Sequence, residues 1–128
     1  MEINRPEVVG EVWARFEEYE RALMANDIAV LDRLFWDSPD VVRYGPTEAL
    51  RGIEAIRRFR EGREVADIAR TLVNTVITTF GDSVATAMTE YRRTGSGRTG
   101  RQSQTWVRLP QGWRIVAAHV SLLPADQT

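Results

Sequence analysis

The sequence predicts an α+β domain in which about three N-terminal helices pack on a curved, mainly antiparallel sheet. Three observations support this fold class. Apolar residues recur at helical spacing in residues 1–64, strand-like segments rich in Val, Ile, Thr, Tyr and Trp fill the rest, and short turns separate those segments. Helices first and strands afterwards is the order typical of such domains. We expect residues 1–128 to form one domain, because 128 residues are enough for one core.

The first helix is predicted from Asn4, as its N-cap, to about Ala25. Pro6 fits the first turn, where the missing N–H costs nothing. Charged residues separate the apolar ones, so the helix is amphipathic and one face meets the core. The apolar residues of this face are Val8, Val9, Val12, Trp13, Phe16, Tyr19 and Leu23.

Three shorter elements are predicted next. A second helix follows Asn26-Asp27 and ends before Pro39, because proline disfavours helix in the residue before it. A strand covers residues 41–44, and a third helix covers residues 53–63. The third helix carries glutamates as well as arginines, which predicts a solvated face held by pairs within the helix. These arginines are Arg57, Arg58, Arg60 and Arg63.

Four long strands are predicted for the second half of the chain. The turns between them contain Gly or Pro, so neighbouring strands should run antiparallel as a meander. A curved sheet with helices across its concave face forms a cone with an open mouth, which is a favourable place for a pocket. The predicted strands cover residues 67–80, 83–94, 101–109 and 113–122.

The composition excludes several kinds of chemistry. All 17 basic residues are arginine, cysteine is absent and His119 is the single histidine. Lysine nucleophiles, thiol catalysis, disulfides and multi-histidine metal sites are therefore excluded. Carboxylates could still hold a hard cation, but we expect neither a metal nor an organic cofactor.

The charge distribution favours small anions over nucleic acid as ligands. The net charge is −1, with an acidic first half and a basic second half whose arginines are scattered through strands. Scattered arginines indicate an anion-receiving surface or pocket, whereas a nucleic-acid module clusters them. Neither a signal peptide nor a membrane span is visible. We expect a cytoplasmic protein without nucleic-acid or membrane partners.

Three residues are candidates for the lining of a pocket. Tyr19 lies on the apolar face of the first helix, either as a core tyrosine or as a phenol that donates a proton or hydrogen bond in the cavity. Arg43 interrupts an apolar strand, so it lies at a rim or contacts a ligand. Arg70 opens the first long strand, either as an ordinary strand-end residue or as a second inward anion receptor. Two inward arginines would suit a substrate with two carboxylates.

Polar residues of the last two strands complete the candidate set. Strict alternation predicts that they share the inner face with tryptophans, where buried polar groups need partners. A lone strand histidine such as His119 is more often structural than catalytic, but a polar ligand could also be its partner. The residues predicted on these faces are Gln102, Gln104, Trp106, Trp113, His119 and Ser121.

Several motifs together resemble the AtzH-like family of small SnoaL-type proteins, which includes a protein of oxalurate catabolism. The resemblance spans nearly the whole chain, and the combination is specific. The motifs are MEINRPEVV at 1–9, FWDSP at 35–39, VRYG at 42–45, GRQSQTW at 100–106 and GWRIVAAHVS at 112–121.

The resemblance implies a fold, an activity and two functional residues. The fold is the cone of nuclear-transport-factor-two-like proteins. The implied activity is that of a decarboxylating amidohydrolase of ureido-acid and cyanuric acid degradation, which converts dicarboxyurea to allophanate beside an amidase. Tyr19 and Arg43 match the catalytic pair of the family. We assign Arg70, Gln104, His119 and Ser121 to substrate binding.

Other functions stay open at this point. The chain could be a non-catalytic binding or accessory protein of an amidase pathway, in which Tyr19 only donates a hydrogen bond. It could also be a proton-transfer isomerase or cyclase, for which Glu90 is the strand acid that could serve as base. Alternate Val, Ile and Thr residues in 71–79 suit pairing through the outer sheet face, so we expect a homodimer or larger homo-oligomer.

Overall fold

The computed structural model describes residues 1–125 and confirms the predicted fold class. Within these residues, three helices pack on a six-stranded sheet of order β2-β1-β6-β5-β4-β3. Neighbouring strands are antiparallel except for β1 and β6, which run parallel. The helices are α1 (Pro6–Ala25), α2 (Ile28–Leu34) and α3 (Ile53–Gly62). The strands are β1 (Val42–Tyr44), β2 (Ala49–Arg51), β3 (Arg70–Phe80), β4 (Val84–Arg93), β5 (Thr99–Leu109) and β6 (Gly112–Leu122).

The N-terminus of α1 differs from the prediction. Arg5 is the N-cap residue, and no side chain caps the helix. Asn4 instead pairs with β3: its N–H donates to the Thr79 carbonyl (3.0 Å), and its Oδ1 accepts from the Thr79 N–H (2.9 Å). The prediction that Asn4 caps α1 is therefore wrong, because its Oδ1, the atom that would cap the helix, accepts from β3 instead.

The end of α1 and the start of α2 follow known helix-capping rules, whereas one short strand after them is unexpected. Asn26 ends α1 in the left-handed conformation, and Asp27 caps α2 by accepting from the Val30 N–H (3.3 Å). The strand β2, which pairs with β1 to form a hairpin, was not predicted. Its three residues are too few to show alternation, and only Leu50 is partly buried.

A β-bulge on β6 changes which residues face the core. On β5, Thr105 pairs with Ala117, whereas the next residue, Trp106, pairs with Ile115. Val116 is therefore an extra residue on β6. Such a bulge shifts the alternation of side chains by one position.

This shift places the polar residues near the end of β6 on the outer face. Trp113 is buried before the bulge, and Val120 is buried after it, although Val120 follows Trp113 by seven positions, an odd interval that would put them on opposite faces of a regular strand. His119 and Ser121 consequently alternate with the buried residues and face outward. The prediction that they share the face of Trp113 is wrong, because it assumed strict alternation.

The core lies between α1 and the concave face of the sheet. Its largest fully buried side chains include Phe16 of α1, Phe35 after α2, Trp106 of β5 and Ile115 of β6. Burying each of these side chains contributes roughly 1.5–3 kcal/mol. The core fills one end of the cone and leaves the other end open. Among residues 1–125, no helix is long and apolar enough to cross a membrane.

Candidate active site

A cavity of about 490 Å³ occupies the open end of the cone. Its walls come from α1, the β1–β2 hairpin, the segment after α3 and the inner face of β3 to β6. The walls include four arginines, three aromatic residues and three acids. The residues that line it are Tyr19, Leu23, Arg43, Pro46, Thr47, Glu48, Phe59, Arg63, Glu64, Ala66, Asp67, Ile68, Arg70, Tyr91, Arg93, Gln102, Val120 and Leu122.

Tyr19 lies in the wall of this cavity with a free hydroxyl. The residue is 4% exposed, and its ring packs against Phe35 with 6.2 Å between centroids. The Arg60 guanidinium lies over the same Phe35 ring, 4.4 Å from its centroid. No group within residues 1–125 hydrogen-bonds to the Tyr19 hydroxyl. The hydroxyl is therefore free to bind a ligand or donate a proton to it.

Arg43 reaches the cavity from β1 and already has one acidic partner. Its side chain is 9% exposed, and its Nη1 donates to Glu48 Oε1 (2.9 Å). Its guanidinium also lies 5.2 Å from the Phe59 ring centroid. The ion pair and the ring fix the guanidinium plane. No hydrogen bond within the described residues involves Nε or Nη2, so this part of Arg43 can bind a ligand.

Glu48 should make stability depend on pH. Burial opposes ionisation of this carboxyl, but hydrogen bonds from Arg43 and Thr47 outweigh it and lower its pKa. A lowered pKa stabilises the fold above the unfolded-state value of about 4.3, and the contribution is lost as pH falls through the folded-state value. We expect the stability difference between wild type and Glu48→Gln to shrink between about pH 6 and pH 3. Urea unfolding across this range measures it.

The matched control for this prediction is Glu61→Gln, at an exposed position on α3. The stability difference between Glu61→Gln and wild type should vary less over the same pH range. A Glu48→Gln difference that is constant with pH would contradict the assigned ion pair.

Arg70 faces inward and is held by a buried acid. Its Nε donates to Glu20 Oε2 (3.1 Å), and its Nη2 donates to Glu20 Oε1 (2.5 Å). Its Nη2 also donates to Gln102 Oε1 (2.9 Å), and its guanidinium lies 4.6 Å from the Tyr91 ring centroid. The two-point ion pair with Glu20 occupies the Nε–Nη2 edge of Arg70, which would otherwise bind a ligand carboxylate. The inward alternative for Arg70 is correct, but its main partner is Glu20.

Tyr91 completes the support of Arg70. Its hydroxyl donates to the Ser121 carbonyl (2.7 Å), which joins β4 to β6 across β5. The ring lies against Gly100 of β5, where a Cβ atom would overlap both Tyr91 and the Ser121 carbonyl oxygen. A glycine is therefore required at position 100 for the Tyr91 ring to lie beneath Arg70.

Arg60 of α3 and Arg63, the C-cap residue after it, contradict the prediction of a solvated face. Arg57 does pair with Glu54 (2.6 Å), and Arg58 is exposed. Arg60, however, is 2% exposed and donates to Asp32 Oδ1 (2.5 Å), and Arg63 lines the cavity. Arg60 follows Ile56 by four residues, which places it on the apolar stripe of α3.

Arg63 is the most unusual cation of the cavity. Its Nε and Nη2 atoms are inaccessible to solvent and have no hydrogen-bond partner among residues 1–125. Burial lowers the pKa of this guanidinium. The Tyr19 phenolate would oppose the shift, whereas Arg43, Arg60 and Arg70 add to it by repulsion. These four arginines and Tyr19 thus form one electrostatic cluster.

The remaining predicted site residues lie elsewhere. Gln104 is buried deeper on the inner face, where its Oε1 accepts from Trp106 Nε1 (3.0 Å), and it is absent from the cavity wall. His119 is exposed and meets the Tyr44 ring edge-on at 5.9 Å. The Ser121 hydroxyl donates to the Arg101 carbonyl (3.4 Å). Hence the structure brings Tyr19, Arg43 and Arg70 together but not these three.

The acid suggested for an isomerase is also outside the cavity. Glu90 is exposed on β4 and accepts a hydrogen bond from Asn74 Nδ2 (3.0 Å). It cannot serve as a base for a ligand beside Tyr19. No cluster of three or more His, Asp or Glu residues that could hold a metal occurs in the part of the chain that the structure describes.

Sequence reasoning missed Glu20, Glu48, Arg63 and Gln102 as parts of the site. One signal was available for Glu20, which follows Phe16 by four residues and therefore lies on the apolar stripe of α1. Gln102 was assigned to the correct face but without a role. Nothing in the local sequence distinguishes Glu48 or Arg63 from surface residues.

Solved structures resemble this chain over nearly its whole length. A protein of unknown function from Pectobacterium atrosepticum is 56% identical, with a TM-score of 0.92 and 95% of each chain covered. A cystatin-like fold protein from Burkholderia xenovorans is 52% identical, with a TM-score of 0.91 over 97% of this chain and 99% of that one. A nuclear transport factor 2-like superfamily protein from Salmonella enterica is 27% identical, with a TM-score of 0.75 and 92% of each covered.

These likenesses confirm the cone-shaped fold, and their descriptions assign no activity. No protein with a curated description matches the chain. The family model described as AtzH-like matches residues 1–126, which is nearly the full length. The chain therefore belongs to the AtzH-like family.

Proposed function

We propose that the protein is a cofactor-independent decarboxylating amidohydrolase that converts an N-carboxylated urea, such as 1,3-dicarboxyurea, to allophanate. The observation that carries the proposal is the unpartnered hydroxyl of Tyr19 in a cavity whose walls include Arg43, Arg63 and Arg70. A proton donor beside several fixed cations suits a small anion that must be protonated as it reacts. Membership of the AtzH-like family supports the same reaction class.

The reaction needs one proton and no redox partner. The bond between the urea nitrogen and the carboxylate carbon breaks, and carbon dioxide leaves. The electron pair of that bond stays on nitrogen, which takes a proton and becomes the terminal NH2 group of allophanate. Tyr19 supplies this proton, because a phenol is protonated at neutral pH. The nearby cations Arg63 and Arg70 stabilise the phenolate until solvent reprotonates it.

Arg43 orients the substrate for this transfer. Its free Nε and Nη2 atoms bind a substrate carboxylate, while Glu48 and Phe59 hold the guanidinium in place. Fixing a reacting group beside its proton donor removes much of the entropic barrier. Arg70 contributes positive charge, and Glu20 holds it in position.

The direct test is to incubate purified protein with 1,3-dicarboxyurea and, separately, with oxalurate, and to follow carbon dioxide and allophanate. We expect carbon dioxide and allophanate in equal amounts from dicarboxyurea, above the uncatalysed rate. Binding without turnover of either compound would instead support the accessory-protein alternative, in which Tyr19 only donates a hydrogen bond. Pairing with an amidase, which would consume allophanate, is part of the same proposal.

We also propose that the outer sheet face forms a homodimer interface. Apolar residues there are exposed, and a second copy would bury them by the same self-complementary contact on both chains. The residues are Val73, Val76, Val84 and Met88. We expect Val76→Asp to convert dimers to monomers in sedimentation velocity, and an exposed change on α3, Arg58→Gln, to leave them intact. A wild-type protein that sediments as a monomer at high concentration would contradict the proposal.

A further inference from the structure

We infer that Arg63 is the receptor for a second ligand carboxylate and makes the cavity selective for dicarboxylates. This inference rests on the proposed function, because it concerns the same cavity. Arg63 is the C-cap residue of α3 and belongs to no recognisable sequence motif. The second receptor role, predicted for Arg70, therefore passes to a different arginine.

The other arginines of the cavity wall, and the neighbouring Arg60, have acidic partners within the protein, and among them Arg93 pairs with Asp67 at 3.5 Å. Arg43 pairs with Glu48 at 2.9 Å, and Arg70 is held at two points by Glu20. Asp32 pairs with Arg60 at 2.5 Å. Each of these positive charges is therefore compensated within the protein.

Arg63 lacks such compensation. Two of its three guanidinium nitrogens, Nε and Nη2, are shielded from solvent without a hydrogen-bond acceptor among residues 1–125. Buried donors are normally satisfied, and leaving one unpaired is costly, more so when it is charged. Nε and Nη2 form the edge of arginine that binds a carboxylate with two parallel hydrogen bonds. A ligand carboxylate would satisfy both atoms at once when the Arg63 side chain turns this edge, which solvent does not reach, toward the cavity.

Arg63 and Arg43 share a cavity and can therefore act on the same ligand. Both line the same cavity of about 490 Å³, together with Tyr19. We expect a short ligand with a carboxylate at each end to contact both guanidinium groups, with its central atoms beside the Tyr19 hydroxyl. A ligand with one carboxylate can satisfy only one of the two arginines, and this difference is the basis of selectivity.

Calorimetric titration with two stable probes tests the inference. Glutarate has a carboxylate at each end of a five-carbon chain, and glutaramate has the same chain with one carboxylate replaced by an amide. We expect wild-type protein to bind glutarate about ten- to a hundredfold more tightly, as for a hydrogen-bonded charge pair. Arg63→Gln should abolish this preference and leave the glutaramate affinity within about threefold of wild type.

Two further variants make the result specific. Arg58→Gln removes the same charge from an exposed position of α3 and should retain the full preference. Arg63→Lys keeps the charge but loses the two-point geometry, so it should retain only part of the preference and also covers the case in which Arg63→Gln fails to fold.

The outcomes separate this inference from the proposed activity. Three results would overturn the role of Arg63. Both Arg63 variants could keep the full preference for glutarate, or folded variants could lose affinity equally for glutarate and glutaramate. Wild-type protein could also bind neither probe. Glutarate contains no N–C bond to break, so its binding can be measured whether or not the protein is a decarboxylase. Arg63-dependent binding without carbon dioxide release from dicarboxyurea would contradict the activity alone.

Discussion

Tyr19→Phe is expected to lower turnover of 1,3-dicarboxyurea about a hundred- to ten-thousandfold, the usual contribution of general acid catalysis. The substitution removes one oxygen atom, which has no hydrogen-bond partner within residues 1–125. The ring and its contact with Phe35 remain, so the fold should keep its stability. Carbon dioxide release at saturating substrate measures the loss, and glutarate titration should show an affinity within about threefold of wild type.

Tyr44→Phe is the matched control for this prediction. Tyr44 is exposed and contacts His119 on the outer face, so removal of its hydroxyl should leave turnover unchanged. Full activity of Tyr19→Phe would exclude the phenol as proton donor. A loss that appeared only as weaker binding would reduce Tyr19 to a ligand contact, as the accessory-protein alternative requires.

Glu20→Gln is expected to cause the largest loss of stability, about 3–5 kcal/mol in the free energy of unfolding. The side chains of Glu20 and Arg70 are only 8% and 5% exposed. Neutralising the acid leaves the Arg70 charge buried without compensation, and this desolvation cost exceeds the Coulomb energy of an exposed pair. Since small domains are stable by about 5–15 kcal/mol, urea unfolding will measure the loss readily.

Two comparisons make the result for Glu20 interpretable. Glu17→Gln makes the same chemical change at an exposed position of α1 and should change stability by less than about 0.5 kcal/mol. The double variant Glu20→Met with Arg70→Met removes both charges and should recover more than half of the loss. A loss below about 1 kcal/mol for Glu20→Gln would mean that solvent reaches the pair.

Local sequence rules predicted the parts of this molecule that depend on short-range periodicity. The apolar spacing from Val8 to Leu23 identified α1 and placed Tyr19 on its inner face, as observed. Arg43 was marked because a charge interrupts an apolar strand, and it does reach the cavity. The order of helices and strands was enough for the fold class.

The errors arise where long-range contacts decide the geometry. Alternation alone could not reveal the extra residue Val116, because the bulge is defined by pairing with a different strand. The partners of Arg70 lie 50 and 32 residues away in the sequence, so its compensation by Glu20 and Gln102 has no local signature. Arg63 becomes distinctive only when the cavity closes around it.

The long-range hydrogen bonds of Glu20 have a thermodynamic consequence for ligand discovery. They connect α1 with β3 and β5, over 50 and 82 residues of sequence, directly beside the cavity. Any opening of the chain that separates these elements also dismantles the site, so ligands should bind the folded state alone. A ligand present at a hundred times its dissociation constant then raises the free energy of unfolding by about 2.7 kcal/mol. Thermal-shift screening of small carboxylates can therefore rank candidate substrates without any assay of turnover.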